Sequence, residues 1–133
     1  MFEVRVERTV RATHAVRLPS GAMEPLHEHD WRVTAILRGP ELDKEGFLVD
    51  FCFVRQEMDR ILDPLTGANL NEHPFLAGMP PSAEAVARRV FEALDRLDWR
   101  GPELAGVAVV ESPGCSAVFS RPADATVSNL RKE

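Results

Sequence analysis

Apolar and polar residues alternate along two stretches near the start of the chain, which predicts two β-strands. In residues 2–16, one side of the first strand carries Phe2, Val4, Val6, Val10, Ala12 and His14. In residues 27–38, one side of the second strand carries His27, His29, Trp31, Val33, Ala35 and Leu37. Arg8 interrupts the apolar side of the first strand. Residues 17–26 contain proline and glycine and are longer than a tight hairpin requires, so we expect a functional loop there.

Helical spacing appears in the middle of the chain. Asp50 is a suitable N-cap for a first helix. Its apolar side consists of Phe51, Val54, Met58, Ile61, Leu62 and Leu65. Ser82 caps a second helix, whose apolar side runs from Ala83 to Leu97. Residues 65–78 between the two helices are expected to form a loop.

Two further strands are predicted after the helices, at residues 104–111 and 116–121, joined by a Ser-Pro-Gly turn. The order is therefore strand, strand, helix, helix, strand, strand. Two successive strand pairs around a pair of helices predict an α+β domain, in which a four-stranded antiparallel sheet carries both helices on one face.

Composition narrows the possible functions. The 133 residues are enough for one domain, expected at residues 1–122, followed by a polar tail at 123–133. The net charge of −5 and the scattered basic residues argue against a nucleic-acid partner. No apolar run approaches the roughly 20 residues of a membrane span, and the first residues do not resemble a signal peptide. Two cysteines are too few for a disulfide framework, so we expect a cytoplasmic protein with reduced thiols.

Three of the four histidines fall within residues 14–29 and share the buried side of the first two strands. If these strands form a hairpin, His14 at the end of one lies beside His27 and His29 at the start of the other. Three imidazoles at one rim are a ligand set for zinc that leaves a fourth position open for water or substrate. The alternative is three separate histidines that each have a hydrogen-bond partner, but one ion satisfies all three rings at once.

Several short motifs occur in an order and spacing that resemble the family of 6-pyruvoyltetrahydropterin synthase and 6-carboxytetrahydropterin synthase. The resemblance runs from about Phe2 to Arg121. Its motifs are Thr13-His14-Ala15, Leu26-His27-Glu28-His29, Val49-Asp50-Phe51, Leu70-Asn71, Pro81-Ser82-Ala83-Glu84 and Val110-Glu111. It implies the tunnelling fold, in which four-stranded subunits form a trimeric barrel that is usually paired into a hexamer.

The resemblance also implies a pterin substrate. Glu111 matches the glutamate that pairs with the amine and amide groups of the pterin ring, a role that suits a bidentate carboxylate. Ser82 or the backbone of Ala83 stands where the family contacts the pterin. The alternative for Glu111 is a solvated strand end, although it shares the side of Val107 and Val109.

The sequence departs from the family pattern at its catalytic positions. Family members carry a cysteine four residues before the His-x-His pair, where this chain has Met23. They also carry an Asp-His dyad, and the ungapped positions here are Thr66 and Gly67, which cannot relay a proton in the same way. His73 and Asp63 are candidates to replace that dyad.

Glu24 offers a different catalytic group. It lies three residues before His27, and the resulting Glu-x-x-His-x-His is similar to a variant branch of the family. That branch is associated with shortening the dihydroneopterin side chain to give 6-hydroxymethyl-7,8-dihydropterin for folate synthesis. A carboxylate beside a zinc ion could take a proton as carbon–carbon cleavage begins. The alternative for Glu24 is an exposed loop acid.

These observations predict a zinc-dependent lyase that acts on 7,8-dihydroneopterin or its triphosphate, with Glu24 as general base and Glu111 as pterin anchor. A second enzymatic hypothesis is 6-carboxytetrahydropterin synthesis for deazapurine (queuosine) nucleosides. A hypothesis from another class is a non-catalytic, zinc-stabilised pterin-binding or scaffold subunit, which the missing cysteine and dyad would permit.

Overall fold

A computed structural model of the chain describes residues 1–122 and shows one four-stranded antiparallel sheet with helices on one face. The strands lie in the order β1, β2, β3, β4 and span Phe2–His14, His27–Gly39, Glu103–Ser112 and Cys115–Ser120. Helices α1 (Phe51–Leu62) and α2 (Ala83–Leu94) connect β2 to β3. The predicted α+β class and ββααββ order are confirmed. The predicted tail at 123–133 lies outside the described residues.

The core lies between the helices and the side of the sheet on which the apolar residues alternate. Strands β1 and β2 contribute Val6, Val10, Ala12, Trp31, Val33, Ala35 and Leu37, all buried. The helices cover them with Val54, Met58, Leu62, Val86, Ala87, Val90, Phe91 and Leu94. Asp50 and Ser82 begin the two helices as predicted, each accepting a hydrogen bond from a backbone N–H of the first turn.

The register of the first two strands determines where the functional residues meet. Strands β1 and β2 pair without interruption from Phe2 opposite Gly39 to His14 opposite His27. The hairpin therefore brings the last residue of β1 beside the first residue of β2, on the covered side of the sheet. At about 3.3 Å per residue, the opposite end of this ribbon lies roughly 40 Å away.

Arg8 breaks the apolar side of β1 because it pairs with the helix layer above. Its Nε and a terminal guanidinium nitrogen donate to the two carboxylate oxygens of Asp59 on α1, at 2.7 and 2.8 Å. A bidentate pair of this kind is a favourable way to keep an arginine partly covered. The interruption in the pattern thus marks a contact between β1 and α1.

The element ends differ from the predictions by a few residues. The first helix was predicted to reach Leu65 but ends at Leu62, and residues Asp63–Leu65 form a single 3₁₀ turn because Pro64 cannot continue the α-helical hydrogen bonds. The second helix ends at Leu94, so Leu97 packs against the core from the segment that follows. A further 3₁₀ turn, Pro74–Leu76, lies within the predicted loop.

The other side of the sheet is charged. Arg11 pairs with Asp30 across the first two strands at 3.0 Å, and Arg38 lies 3.7 Å from Glu3. The neighbouring Asp30 raises the pKa of Arg11, and in turn the hydrogen bond and charge of Arg11 lower the pKa of Asp30. Among the described residues, no helix is both long and apolar enough to span a membrane.

Candidate metal centre

The three histidines of the first hairpin form one cluster at its rim. Ring centroids lie 4.7 Å apart for His14 and His27, 5.0 Å for His14 and His29, and 4.5 Å for His27 and His29. His14 is buried, and the other two are half-buried. The structure thus brings together the three residues that the alternation pattern places on one side of the hairpin.

Backbone carbonyls orient two of these rings. The Nδ1 atoms of His14 and His27 each lie 2.7 Å from a carbonyl oxygen, that of Pro81 and that of Pro25 respectively. Because a carbonyl can only accept, Nδ1 carries the proton in both rings, and a neutral ring then has its lone pair on Nε2. Such an outer hydrogen bond is the usual way in which a protein orients a histidine that binds a metal.

The cluster contains buried nitrogen atoms that no protein group satisfies. Among residues 1–122, the Nε2 atoms of His14 and His29 are buried and have no hydrogen-bond partner. Burial lowers the pKa of His29, an effect that the carboxylate of Glu111 partly opposes. Unsatisfied buried nitrogens are costly. Neutral imidazoles that converge on one point fit a zinc ion by donor type and number.

Glu111 places a carboxylate within the same cluster. Its Oε1 lies 3.1 Å from Nε2 of His14 and 3.1 Å from Nε2 of His29. The ligand atoms of the three histidines and of Glu111 all lie within 4.8 Å of one another. Glu111 comes from β3, next to β2, at a register irregularity between Val110 and Ser112. The residue expected to anchor a pterin therefore faces the metal ligands.

Glu24 lies beside His27 and His14 and is held in place by the backbone. Its Oε1 is 3.8 Å from Nε2 of His27 and 4.0 Å from Nε2 of His14. The N–H of Val16 donates to the same oxygen at 3.0 Å, and the N–H of Glu24 donates to the carbonyl of Val16 at 3.0 Å. Glu24 is thus a fixed side chain beside the cluster, which is what the general-base hypothesis requires, and the exposed-acid alternative does not describe it.

The start of α2 borders the cluster through Pro81. Ser82 and Ala83 follow directly after the carbonyl that binds His14. The hydroxyl oxygen of Ser82 accepts from the N–H of Ala85 at 3.1 Å, so its own proton remains available to a ligand. The two expected pterin contacts are therefore near the histidines.

The other candidates lie apart from the cluster. The Nδ1 of His73 accepts from the N–H of Phe75 at 3.1 Å, and Asp63 begins the 3₁₀ turn after α1. Neither belongs to the group of possible metal ligands found among the described residues. Gly67 has φ of +75° and donates its N–H to the carbonyl of Arg11 at 2.7 Å, and Met23 is half exposed.

Asn71 holds the backbone of Ala15, a role that the sequence alone does not indicate. Its side-chain amide donates to the carbonyl of Ala15 at 2.7 Å and accepts from the N–H of Ala15 at 2.8 Å. Ala15 lies between His14, a candidate ligand, and Val16, which holds Glu24. In the sequence, the Leu70-Asn71 step contributes only to the family resemblance, because nothing local indicates a contact 56 residues away.

Comparison with known proteins identifies the family of the chain. The family model described as 6-pyruvoyl tetrahydropterin synthase matches residues 3–122. The chain belongs to this family. Its enzymes are pterin side-chain lyases, and the recognition made from the sequence is confirmed.

Individual relatives extend the comparison. The chain is 28% identical over 127 residues to the 6-carboxy-5,6,7,8-tetrahydropterin synthase of Bacillus subtilis, covering 89% of this chain and 84% of that protein. The fold resembles the 6-pyruvoyl tetrahydropterin synthase of Caenorhabditis elegans, with a TM-score of 0.70, 23% identity and coverage of 92% and 98%. It also resembles a Plasmodium vivax synthase in which a catalytic glutamate is replaced by alanine, with a TM-score of 0.68, 19% identity and coverage of 92% and 98%.

Proposed function

We propose that this protein is a zinc-dependent lyase that shortens the side chain of 7,8-dihydroneopterin or its triphosphate, giving 6-hydroxymethyl-7,8-dihydropterin. The observation that carries the proposal is the position of Glu24, whose carboxylate lies 3.8 Å from Nε2 of His27 and 4.0 Å from that of His14. Both cysteines, Cys52 and Cys115, are exposed and outside the cluster. A carboxylate is therefore the base available at this site.

The three histidines would hold the zinc ion, which when bound polarises the hydroxyl groups of the substrate side chain. Glu24 would accept the proton of the C2′ hydroxyl as the C1′–C2′ bond breaks, so that C2′ and C3′ leave as a two-carbon aldehyde. The same proton, returned to C1′, would complete the hydroxymethyl group. The two hydrogen bonds with Val16 keep the carboxylate of Glu24 directed at that place. A glutamate is also described as catalytic in the Plasmodium vivax synthase of similar fold, so a catalytic glutamate has a precedent on this fold.

The pterin ring would be held between β3 and the start of α2. The carboxylate of Glu111 can accept two hydrogen bonds from the guanidine-like edge of the ring. The hydroxyl of Ser82 can donate one more, and the first turn of α2 offers backbone N–H groups near Ala83 that have no partner within the helix. These assignments direct the side chain of the substrate toward the histidines.

The Glu24→Gln variant tests the assignment of the base. Glutamine retains the size of the side chain and an oxygen that can accept from Val16, so zinc and pterin binding should persist. The single-turnover rate should fall by roughly 10²–10⁴-fold, the usual contribution of a positioned base. Turnover at the parent rate would place the base elsewhere, with His73 and Asp63 the next residues to substitute.

A second candidate function is 6-carboxytetrahydropterin synthesis, which the Bacillus subtilis relative favours. Identification of the product formed from dihydroneopterin triphosphate by the zinc-loaded protein separates the two reactions. A hydroxymethyl product supports the first proposal, and a carboxylated tetrahydropterin supports the second. Tight pterin binding without turnover would indicate the non-catalytic subunit.

A further inference from the structure

Two carboxylates face the same three histidines at different distances. Oε1 of Glu111 lies 3.1 Å from the Nε2 atoms of His14 and His29. Oε1 of Glu24 lies no closer than 3.8 Å to any of these nitrogens. Both side chains are about one quarter exposed, so the two carboxylates differ in their distance from the histidines and not in their burial.

The contact between Glu111 and His14 brings together two groups that both present lone pairs. His14 donates its Nδ1 proton to the carbonyl of Pro81, so in the neutral ring Nε2 presents a lone pair to the carboxylate. Neither Nε2 atom makes a hydrogen bond of good geometry with Glu111, in spite of the 3.1 Å separations. Two acceptors this close repel each other unless a cation lies between them. The arrangement is therefore that of ligands that share one ion.

The distances support the same conclusion. Ligand atoms bound to a tetrahedral zinc ion at about 2.0–2.1 Å lie roughly 3.3 Å from one another. The contacts of Glu111 at 3.1 Å fit this spacing, whereas those of Glu24 at 3.8 and 4.0 Å are longer. Glu24 is also bound to the N–H of Val16, which keeps it from moving closer.

We propose that Glu111 is the fourth protein ligand of the metal in the substrate-free protein, so that the centre is closed until a pterin arrives. This inference rests on the proposed pterin-binding function. A ring with a guanidine-like edge offers Glu111 two hydrogen-bond donors and draws the carboxylate from the metal, which frees the fourth position. The site would then open only for a ligand that carries this ring edge. It would stay closed to small anions or alcohols that lack the edge.

Zinc affinity, measured by competition with a chromophoric chelator, separates the two carboxylates. Glu111→Gln should bind zinc at least about tenfold more weakly than the parent, the scale on which even outer groups affect metal sites. Glu24→Gln is the matched control, because it removes the same charge from a carboxylate outside the group of ligand atoms, and it should lose clearly less zinc affinity than Glu111→Gln. Equal zinc affinities for Glu111→Gln and the parent would overturn the proposal.

Cobalt substitution provides a second measurement that does not depend on turnover. In the cobalt-loaded parent, azide alone should leave the visible spectrum unchanged, and azide should bind once pterin lacking a C6 side chain is added. Cobalt-loaded Glu111→Gln should bind azide without pterin. Azide binding to the pterin-free parent would refute the closed centre.

Glu111→Asp covers the case in which Glu111→Gln fails to fold. It retains the charge but withdraws the carboxylate by one methylene group, so it should lose zinc affinity and admit azide in the same way. These outcomes are separate from those of the proposed function. A parent without turnover that still shows pterin-dependent azide binding would refute the lyase and leave the closed centre standing.

Discussion

The sharpest structural prediction concerns Asn71, whose amide holds Ala15 between a metal ligand and the residue that fixes Glu24. Asn71→Ala removes both hydrogen bonds to Ala15, at 2.7 and 2.8 Å. Each such bond contributes about 0.5–1.5 kcal/mol, so the variant should lose about 1–3 kcal/mol of unfolding free energy. Ala15 is nearly buried, which limits how well water can replace the lost partner.

Asn71→Ala should also weaken zinc binding, because Ala15 adjoins His14. Loss of an outer partner typically costs about 10–100-fold in metal affinity. The rate should fall further than the affinity for pterin, since Val16 positions Glu24 and the ring contacts lie elsewhere. Urea unfolding, a zinc competition titration and the split between kcat and KM measure the three effects.

Asn69→Ala is the matched control in the same loop. Among residues 1–122, the side chain of Asn69 accepts one hydrogen bond, from the N–H of Asn71 at 3.0 Å, and makes none with Ala15. It should therefore lose less stability and retain zinc affinity and kcat. If Asn69→Ala and Asn71→Ala reduce zinc affinity equally, the clamp on Ala15 is not the reason, and the argument from Asn71 to His14 fails.

Three further predictions concern the metal, pH and assembly. Purified protein should hold about one zinc per chain by elemental analysis, and full occupancy in both His14→Ala and His27→Ala would contradict the ligand set. Burial keeps the pKa of His29 below its ordinary value of about 6.5, so the unfolded state binds more protons and the metal-free protein should lose stability as the pH falls through about 6.5. Urea unfolding at several pH values tests this, and His29→Gln should flatten the dependence. The outer edges of β1 and β4 predict closed association into trimers or hexamers, and a monomer by sedimentation at micromolar concentration would refute it.

The positions of the three histidines could be predicted from the sequence because they depend on local rules. Alternation assigns each residue of a strand to a side of the sheet, and a hairpin brings the end of one strand beside the start of the next. His14 and His27 are opposite each other for this reason. Because a single loop connects these two strands, their pairing can be predicted without contacts from distant parts of the chain.

The contacts of Glu111 and Asn71 could not be predicted in the same way. Alternation with Val107 and Val109 places Glu111 on the covered side, but its distance from His29 depends on the register of β2 against β3. That register is irregular between Ile36 and Leu37, and the pairing of β3 with β4 is irregular between Val110 and Ser112. The apolar pattern reveals neither irregularity. The contact of Asn71 with Ala15 likewise depends on how the segment after α1 returns to the edge of β1. The ends of the two helices differ from the prediction for a related reason, since Leu65 and Leu97 pack against the core without belonging to an α-helix.

The electrostatics of the site give an independent reason to expect an ion. Glu24 and Glu111 bring two carboxylates to three imidazoles, of which two have their Nδ1 protons committed to backbone carbonyls. Without a cation, the carboxylates repel each other, and the buried Nε2 atoms of His14 and His29 have no partner among the described residues. One divalent ion satisfies the nitrogens and offsets both negative charges. Because Glu111 comes from β3, while the histidines come from the first hairpin, the bound ion would join two separate parts of the chain. Metal binding should for that reason stabilise the whole domain rather than the hairpin alone.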